Sequence, residues 1–378
     1  MLDISGTIVG MNVAARRVAE VLRNRGPRTR AELIMLTGLS RPTVGGALSS
    51  LAKAGIVVEE PGTPAGGRPA AVFRLTRKAG IAVGVDIGRR HIRVAVADLG
   101  HTLLADQAIR LDLDGDDHPH HALDLAAAQV TAVLTAVGAS LDEVAGIGLG
   151  IPAPLTREGR IGSPELLPAW AELSARDELM KRLDTQGVRV ENDANLAALA
   201  EHTWGAGKDC DDLVYVKLAT GIGAGIVLAG RLYRGSVGTA GELGHVTLDA
   251  RGPVCRCGNR GCVELVAGGR VLLAQSGARD LDEMATLAAQ GDPSCRRLLA
   301  DAGRYLGIAL GGMLNLLNPD RIIVGGFTAV DVLLEPLRLG LAETAMAAAV
   351  EAVQVRPGHL GESAGALGGV ALALGVDK

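Results

Sequence analysis

The first eighty residues alternate short amphipathic segments with glycine and proline. Apolar positions spaced among arginines over residues 12–25 predict a helix that ends at the following Gly-Pro pair. A short second helix is predicted to begin at residue 29 or 30. Gly38 then makes a turn, and Ser40 caps a third helix that ends at Gly55. Two helices joined by a glycine-bearing turn predict a helix-turn-helix.

The segment after these helices has the pattern of a β-hairpin. Residues 56–60 and 71–75 are β-prone, and residues 61–69 between them are rich in glycine and proline. The sequence therefore predicts a winged helix-turn-helix, with Arg68 on the wing. That arginine either reaches a narrow minor groove or is a solvated loop charge.

The rest of the chain repeats one order of elements. After a short linker at residues 77–80, three strands follow each other across tight turns, and helices alternate with strands beyond them. The same order starts again at a strand over residues 213–218, which the turn TGIGAG follows, and a late strand is expected at residues 321–324. This repetition predicts an α/β fold with two similar halves.

Charge is distributed unevenly. The net charge is −4 overall, but residues 1–80 carry about +7 and the remainder about −11. A basic head on an acidic body is typical of a DNA-binding module joined to a domain that avoids DNA. No apolar run is long enough to span a bilayer, and no export signal is recognisable, so a cytoplasmic protein is expected.

Residues 241–269 concentrate the candidate metal ligands. Cys255, Cys257 and Cys262 lie close together, and His245 upstream can complete a tetrahedral site. Four protein ligands leave no open position, so we expect a structural zinc ion. The alternative is a group of buried or redox-active thiols.

This segment also carries a family resemblance. GELGH followed by CRCGNRGCVE resembles the signature of the ROK family, which contains sugar kinases and sugar-responsive regulators on a two-lobed actin-like, hexokinase-like (ribonuclease H-like) fold. The resemblance implies that the histidine and cysteines bind zinc. It also implies that Glu242, Glu264 and His245 bind sugar hydroxyls. In ENDAN, it assigns sugar binding to Asn192 and to Asp193, which is the catalytic base in the kinases. The residue-based alternative for Asn192 and Asp193 is a helix N-cap.

ROK regulators, unlike ROK kinases, carry an N-terminal winged helix-turn-helix, with a wing sequence similar to GGRP at residues 66–69. The resemblance therefore predicts a DNA-binding domain at 1–80, a first lobe at 81–193 and a second lobe with the zinc loop at 194–362. A C-terminal helix at about 363–375 is expected to pack back on the first lobe. The expected DNA contacts are Ser40, Arg41, Thr43 and Arg68.

Nucleotide-binding segments are recognisable but altered. The resemblance assigns phosphate contacts to Asp86 and Gly88, to a second glycine turn and to a late Gly-Gly pair; the last two comprise Thr220, Gly221, Gly223, Gly325 and Gly326. In kinases the first loop reads D-x-G-G-T, whereas here Arg89 and Arg90 follow the glycine. We expect Arg89 to occupy space that a terminal phosphate needs, which argues against productive binding of ATP and Mg²⁺. Alternatively, the arginines decorate the turn or hold an anion.

These features favour a sugar-responsive transcriptional regulator of carbohydrate metabolism, in the manner of a repressor. A sugar or sugar derivative would bind between the lobes, and a homodimer or homotetramer would bind operator DNA. The alternative is a glucokinase-like, ATP-dependent sugar kinase that also binds DNA, with Asp193 as its base. The sequence leaves open which sugar is bound and whether it is phosphorylated.

Overall fold

A computed structural model of the 378-residue chain describes residues 11–62, 70–326 and 330–377. The chain divides into two compact units. Unit 1 comprises Met1–Gly150, Ala175–Val190 and Gly369–Lys378, and unit 2 comprises Ile151–Ser174 and Glu191–Gly368. Residues 151–174, which the sequence analysis placed in the first lobe, therefore belong to unit 2. No helix in the described ranges has both the length and the hydropathy needed to cross a membrane.

The N-terminal part of unit 1 is a winged helix-turn-helix. Its elements are α1 (Val13–Arg25), β1 (Arg28–Thr29), α2 (Arg30–Thr37), α3 (Arg41–Lys53), β2 (Val57–Glu60) and β3 (Val72–Leu75). The strands pair in the order β1-β3-β2. Thr29 and Ser40 cap α2 and α3 as predicted, and Gly38 at φ 65° makes the left-handed turn between these helices.

A five-stranded sheet forms the rest of unit 1. Its elements are β4 (Ile81–Ile87), β5 (His91–Asp98), β6 (Leu103–Arg110), α4 (Pro119–Ala136), β7 (Val144–Ile151), α5 (Ala175–Leu183) and β8 (Val188–Asn192). The strand order is β6-β5-β4-β7-β8, in which β4 pairs antiparallel with β5 and parallel with β7. Every residue of β4 is buried, in agreement with its uninterrupted apolar sequence.

Unit 2 repeats this topology. Its elements are α6 (Asp193–Trp204), β9 (Leu213–Leu218), β10 (Ile222–Leu228), β11 (Arg231–Leu232), α7 (Glu264–Ala267), α8 (Gly269–Ser276), α9 (Leu281–Ala289), α10 (Pro293–Leu317), β12 (Arg321–Gly325), α11 (Val330–Thr344), α12 (Ala347–Ala352) and β13 (Gln354–Pro357). The order β11-β10-β9-β12-β13 matches that of unit 1, with β9 antiparallel to β10 and parallel to β12. The predicted two-halved α/β fold is confirmed.

Helix α10 packs on α11 through a row of glycines spaced four residues apart. A Cβ atom at Gly303, Gly307 or Gly311 would lie within 2.6 Å of an atom of α11. This face of α10 therefore belongs to the core of unit 2, whereas Leu316 on the same helix is 85% exposed. The sequence analysis had left open whether the helix is core or a subunit contact.

The last helix, α13 (Ala364–Leu374), contributes residues from Gly369 onward to unit 1. A Cβ atom at Gly148 in β7 would lie 2.1 Å from the Gly369 carbonyl oxygen. Helix and strand approach each other this closely only because both positions are glycine.

Candidate functional site

The four predicted metal ligands meet in one loop of unit 2. His245 lies in a short 3₁₀ helix, Leu243–His245, and bridge pairs between Thr247 and Cys262 and between Val254 and Arg260 close the loop. Gly258 and Gly261 adopt φ of 89° and 57°, which lets the chain reverse between the cysteines. Cys255 and Cys262 are buried, while the other two ligands are half-buried.

The distances within this cluster fit a single metal ion. The four ligand atoms lie within 4.8 Å of one another; Cys255 Sγ is 3.6 Å from His245 Nδ1, and Cys257 Sγ is 3.7 Å from Cys262 Sγ. A tetrahedral zinc ion with its usual bond lengths would set these separations at about 3.5 and 3.8 Å. The cysteines form no disulfide. The cluster can therefore hold a metal ion.

The junction between β8 and α6 supplies the next group. Asn192 caps α6, because its Oδ1 accepts from the amides of Ala194 and Asn195 at 2.9 and 3.1 Å. Its Nδ2 donates to the Ala153 carbonyl at 3.0 Å. The helix-cap alternative thus holds for Asn192, and one amide hydrogen is left for a ligand.

Asp193 is bound to a lysine that the sequence analysis did not identify. Lys217, near the end of β9, places its Nζ 2.7 Å from Asp193 Oδ2, and the two side chains are only 17% and 15% exposed. A single lysine inside an apolar strand was the available signal, and it did not indicate its partner. The carboxylate that matches the kinase base is therefore already held by an ammonium group.

Glu264 and Arg256 connect the metal loop to the same region. Glu264 accepts from the Ile222 amide at 3.1 Å through one oxygen and from Arg256 Nε at 3.2 Å through the other. Arg256 also donates to the Leu166 carbonyl at 3.2 Å. Because Cys255 and Cys257 flank it, the fold of the metal loop sets the position of this arginine.

Glu242 completes the group of carboxylates. Burial and the negative charges of Asp193 and Glu264 raise the pKa of Glu242 to about 7, although Arg256 opposes the shift. These interactions show that three of the predicted sugar-binding carboxylates share one region of unit 2. A negatively charged Glu242 is disfavoured there unless a ligand donates hydrogen bonds to it.

The predicted second phosphate turn, residues 219–223, is supported from the protein side. A Cβ atom at Gly221 would lie 2.4 Å from Glu264 Oε2, and Gly223 lies against the methyl group of Ala194. At the end of β12, Gly325 continues into Gly326 at φ 85°, where a Cβ atom would lie 3.1 Å from Lys217 Cγ. The lysine stem thus covers part of the predicted nucleotide segment.

In unit 1, the expectation for Arg89 needs correction. Its guanidinium pairs with Asp114 at 2.5 Å, because the acidic loop after β6 draws it aside. His91 lies over Gly88 instead: a Cβ atom there would be 2.3 Å from the imidazole, and His91 Nε2 is 3.3 Å from Asp86 Oδ2. The side chain that covers the first phosphate loop is therefore a histidine.

The predicted DNA-contacting residues of α3 lie at its exposed N-terminus. Ser40, Arg41 and Thr43 are all exposed, and Ser40 also caps the helix by accepting from the Thr43 amide at 3.3 Å. Arg68 lies outside the described residues. A basic, solvent-facing helix N-terminus is the part that a recognition helix presents to DNA.

Comparison with known proteins covers the whole chain. A family model described as the ROK family matches residues 82–376. The xylose repressor of Bacillus subtilis is 31% identical over 357 residues, which are 92% of this chain and 91% of the repressor. The glucokinase of Thermotoga maritima is 34% identical, but over 61% of this chain and 80% of the enzyme.

A solved structure is similar over nearly the same extent. The crystal structure of a ROK family transcriptional regulator, a homolog of the E. coli MLC protein, has a TM-score of 0.75 at 27% identity and covers 96% of both chains. The chain therefore belongs to the ROK family and, within it, to the transcriptional regulators that carry an N-terminal helix-turn-helix domain.

Proposed function

We propose that this chain is a repressor whose operator binding, through the winged helix-turn-helix, is controlled by a sugar bound in unit 2. The observation that carries the proposal is the extent of the matches. The repressor aligns with 92% of the chain, including its N-terminal domain, whereas the glucokinase aligns with 61%. The exposed N-terminus of α3 and the carboxylate group of unit 2 give each activity its own place in the chain.

The ligand is a polyol held by Asn192, Asp193, Glu242, His245 and Glu264. Carboxylates and amides accept from and donate to sugar hydroxyls in the paired geometry that such ligands need. If His245 binds the metal through Nδ1, its Nε2 donates towards the ligand. Glu242 is the strongest acceptor, because sugar hydroxyls would offset its repulsion from neighbouring carboxylates.

The metal is a structural zinc ion. Three thiolates and one imidazole are the donor set that favours zinc, and four protein ligands leave no position for water. We expect about one zinc per chain by elemental analysis, and Cys257→Ser should lose it. A metal-free protein with a normal sugar response would contradict this role.

A sugar kinase that also binds DNA is the second candidate. The retained Asp193 and the similarity to a glucokinase favour it. The Lys217 ammonium on Asp193 and the His91 imidazole over Gly88 count against turnover with ATP and Mg²⁺. Sugar-dependent ADP formation by the purified protein would support this candidate.

The assembly is proposed to be a symmetric homodimer or a tetramer built from such dimers. Two recognition helices about 34 Å apart would match an inverted repeat with half-sites one DNA turn apart. Changing the spacer by five base pairs should abolish tight binding. Equal affinity for both spacings would contradict the symmetric arrangement.

The function is tested with two variants. DNA is first selected from a random pool by the full-length protein, and sugars are then screened by thermal shift, including xylose because a relative is named for it. Arg41→Ala/Thr43→Ala should lose DNA binding and keep the sugar shift. Glu242→Gln should lose the shift and keep DNA binding. Loss of both activities in each variant would contradict the assignment.

A further inference from the structure

The DNA-binding domain is fastened to the rest of unit 1 by the turn between β5 and β6, residues 98–102, which we name the docking turn. Gly100 in this turn lies so close to β3 that a Cβ atom would be 2.1 Å from the Leu75 carbonyl oxygen. Asp98, at the start of the turn, is only 4% exposed. The turn therefore packs closely against the winged domain.

His101 of the docking turn holds the end of helix α1. Its Nε2 is 2.7 Å from the Arg23 carbonyl oxygen, in the last helical turn, where carbonyl groups have no partner within the helix. Its ring lies on Gly26, where a Cβ atom would be 3.3 Å from His101 Nδ1. Burial lowers the pKa of His101, so the neutral ring donates from Nε2.

Arg74 on β3 bridges the winged domain and the docking turn. Within the domain it donates to Glu60 at 2.7 Å. Across to the turn it donates to Asp98 at 3.3 Å and to the Thr102 hydroxyl at 3.2 Å. One guanidinium thus satisfies a buried carboxylate of the sheet from the DNA-binding domain.

The predicted linker is part of the same packing. It forms a short 3₁₀ helix, Arg77–Ala79, in which Ala79 is buried. The Leu99 amide donates to the Gly80 carbonyl at 3.2 Å, and Arg77 donates to the Gly138 carbonyl at 2.9 Å. A linker bonded on both sides is not a flexible tether.

We propose that His101 and Arg74 are positioning residues for operator binding. They fix the winged helix-turn-helix on the docking turn, so that the DNA-binding domain and the sheet of unit 1 move as one body. A sugar then acts on DNA binding by moving unit 1 as a whole rather than by bending the chain at residues 76–80. This inference rests on the proposed DNA-binding function.

Limited trypsin digestion tests the docking without DNA. We expect the wild-type protein to resist cleavage after Arg77 and Lys78, with and without sugar, because the linker is held. His101→Leu, which lacks the donor, should be cleaved there at least tenfold faster, and His101→Gln, which keeps a donor, should behave more like wild type. Rapid linker cleavage of the wild-type protein would overturn the proposal without any variant.

Operator affinity tests the positioning. With DNA selected from a random pool by the full-length protein, His101→Leu and Arg74→Met should bind about tenfold more weakly and keep the wild-type salt dependence, since the phosphate contacts are unchanged. Glu60→Gln removes a partner of Arg74 within the winged domain only and should bind normally. Sugar thermal shifts should be unaltered in all of these variants.

Wild-type affinity in both docking variants would overturn the positioning role, as would an equal loss in Glu60→Gln. If the wild-type protein selects no DNA at all, the proposed function fails and the positioning role falls with it. The digestion comparison would still report whether the domain is docked, so the two failures are distinguishable.

Discussion

Glu242 is a carboxyl group whose surroundings oppose its charge. Its pKa of about 7 lies above the ordinary value near 4.5, because it is buried beside Asp193 and Glu264. The folded state therefore binds more protons than the unfolded state between these two pH values. The free energy of unfolding should fall as pH rises through this window and change no further above it.

Glu242→Gln should remove that slope. Relative to wild type, the variant should be equally stable below about pH 4.5 and more stable by roughly 2–3 kcal/mol at pH 8, at about 1.4 kcal/mol per unit of pKa shift. Urea unfolding at pH 5 to 8 measures the difference. A variant that is less stable than wild type at pH 8 would show that Glu242 has a stabilising partner.

The Lys217–Asp193 pair predicts strong coupling between the two side chains. Lys217→Met leaves a largely buried carboxylate without its ammonium, so the free energy of unfolding should fall by about 2–3 kcal/mol. Adding Asp193→Asn should recover most of that loss, giving a coupling above about 1 kcal/mol in a double-mutant cycle. Additive effects of the two substitutions would mean that the pair does not act as a unit.

At the scale of the element, the metal loop positions Arg256 as well as the metal. Arg256→Met should keep its metal content, because no ligand is changed, and should weaken sugar binding about tenfold by releasing Glu264. Arg260→Met is the matched control: this arginine lies in the same loop and donates only to the Gly252 carbonyl, at 3.4 Å, among its recorded bonds. Calorimetry and zinc analysis of both variants would decide; equal sugar affinities would remove the role of Arg256.

Helix α10 provides two glycines with opposite expected effects. Gly307→Ala places a methyl group 2.1 Å from the Leu337 carbonyl oxygen, so α10 and α11 must separate, and we expect a loss of about 2 kcal/mol or more. Gly312 has open space around it, and Gly312→Ala should stabilise the helix by about 0.5–1 kcal/mol. Thermal unfolding measures both changes. Destabilisation by both substitutions would contradict the packing described for this helix.

At the scale of the whole molecule, local patterns predicted what local physics determines. Apolar periodicity, helix caps and repeated strand order gave the helix-turn-helix and the two similar α/β halves. The metal ligands were recognisable because all four lie within eighteen residues of one another. The family itself was identified from the same segment.

Pairings between distant residues could not be predicted in this way. Lys217 lies 24 positions from Asp193, and Arg74 lies 24 positions from Asp98. Neither spacing carries a signal, since ion pairs of this kind depend on how strands and turns meet. For the same reason the sequence placed Arg89 over the first phosphate loop, although an acidic loop 25 positions away holds it.

Operator binding measured with and without sugar tests the central claim most directly. Fluorescence anisotropy of labelled, selected DNA would be recorded with the full-length protein across a panel of pentoses, hexoses and N-acetylated hexosamines, alongside an assay for ADP. We predict that at least one sugar changes the DNA dissociation constant by about 5- to 150-fold, without ADP formation. Sugar-dependent ADP formation, with DNA affinity unchanged by every sugar, would contradict the account.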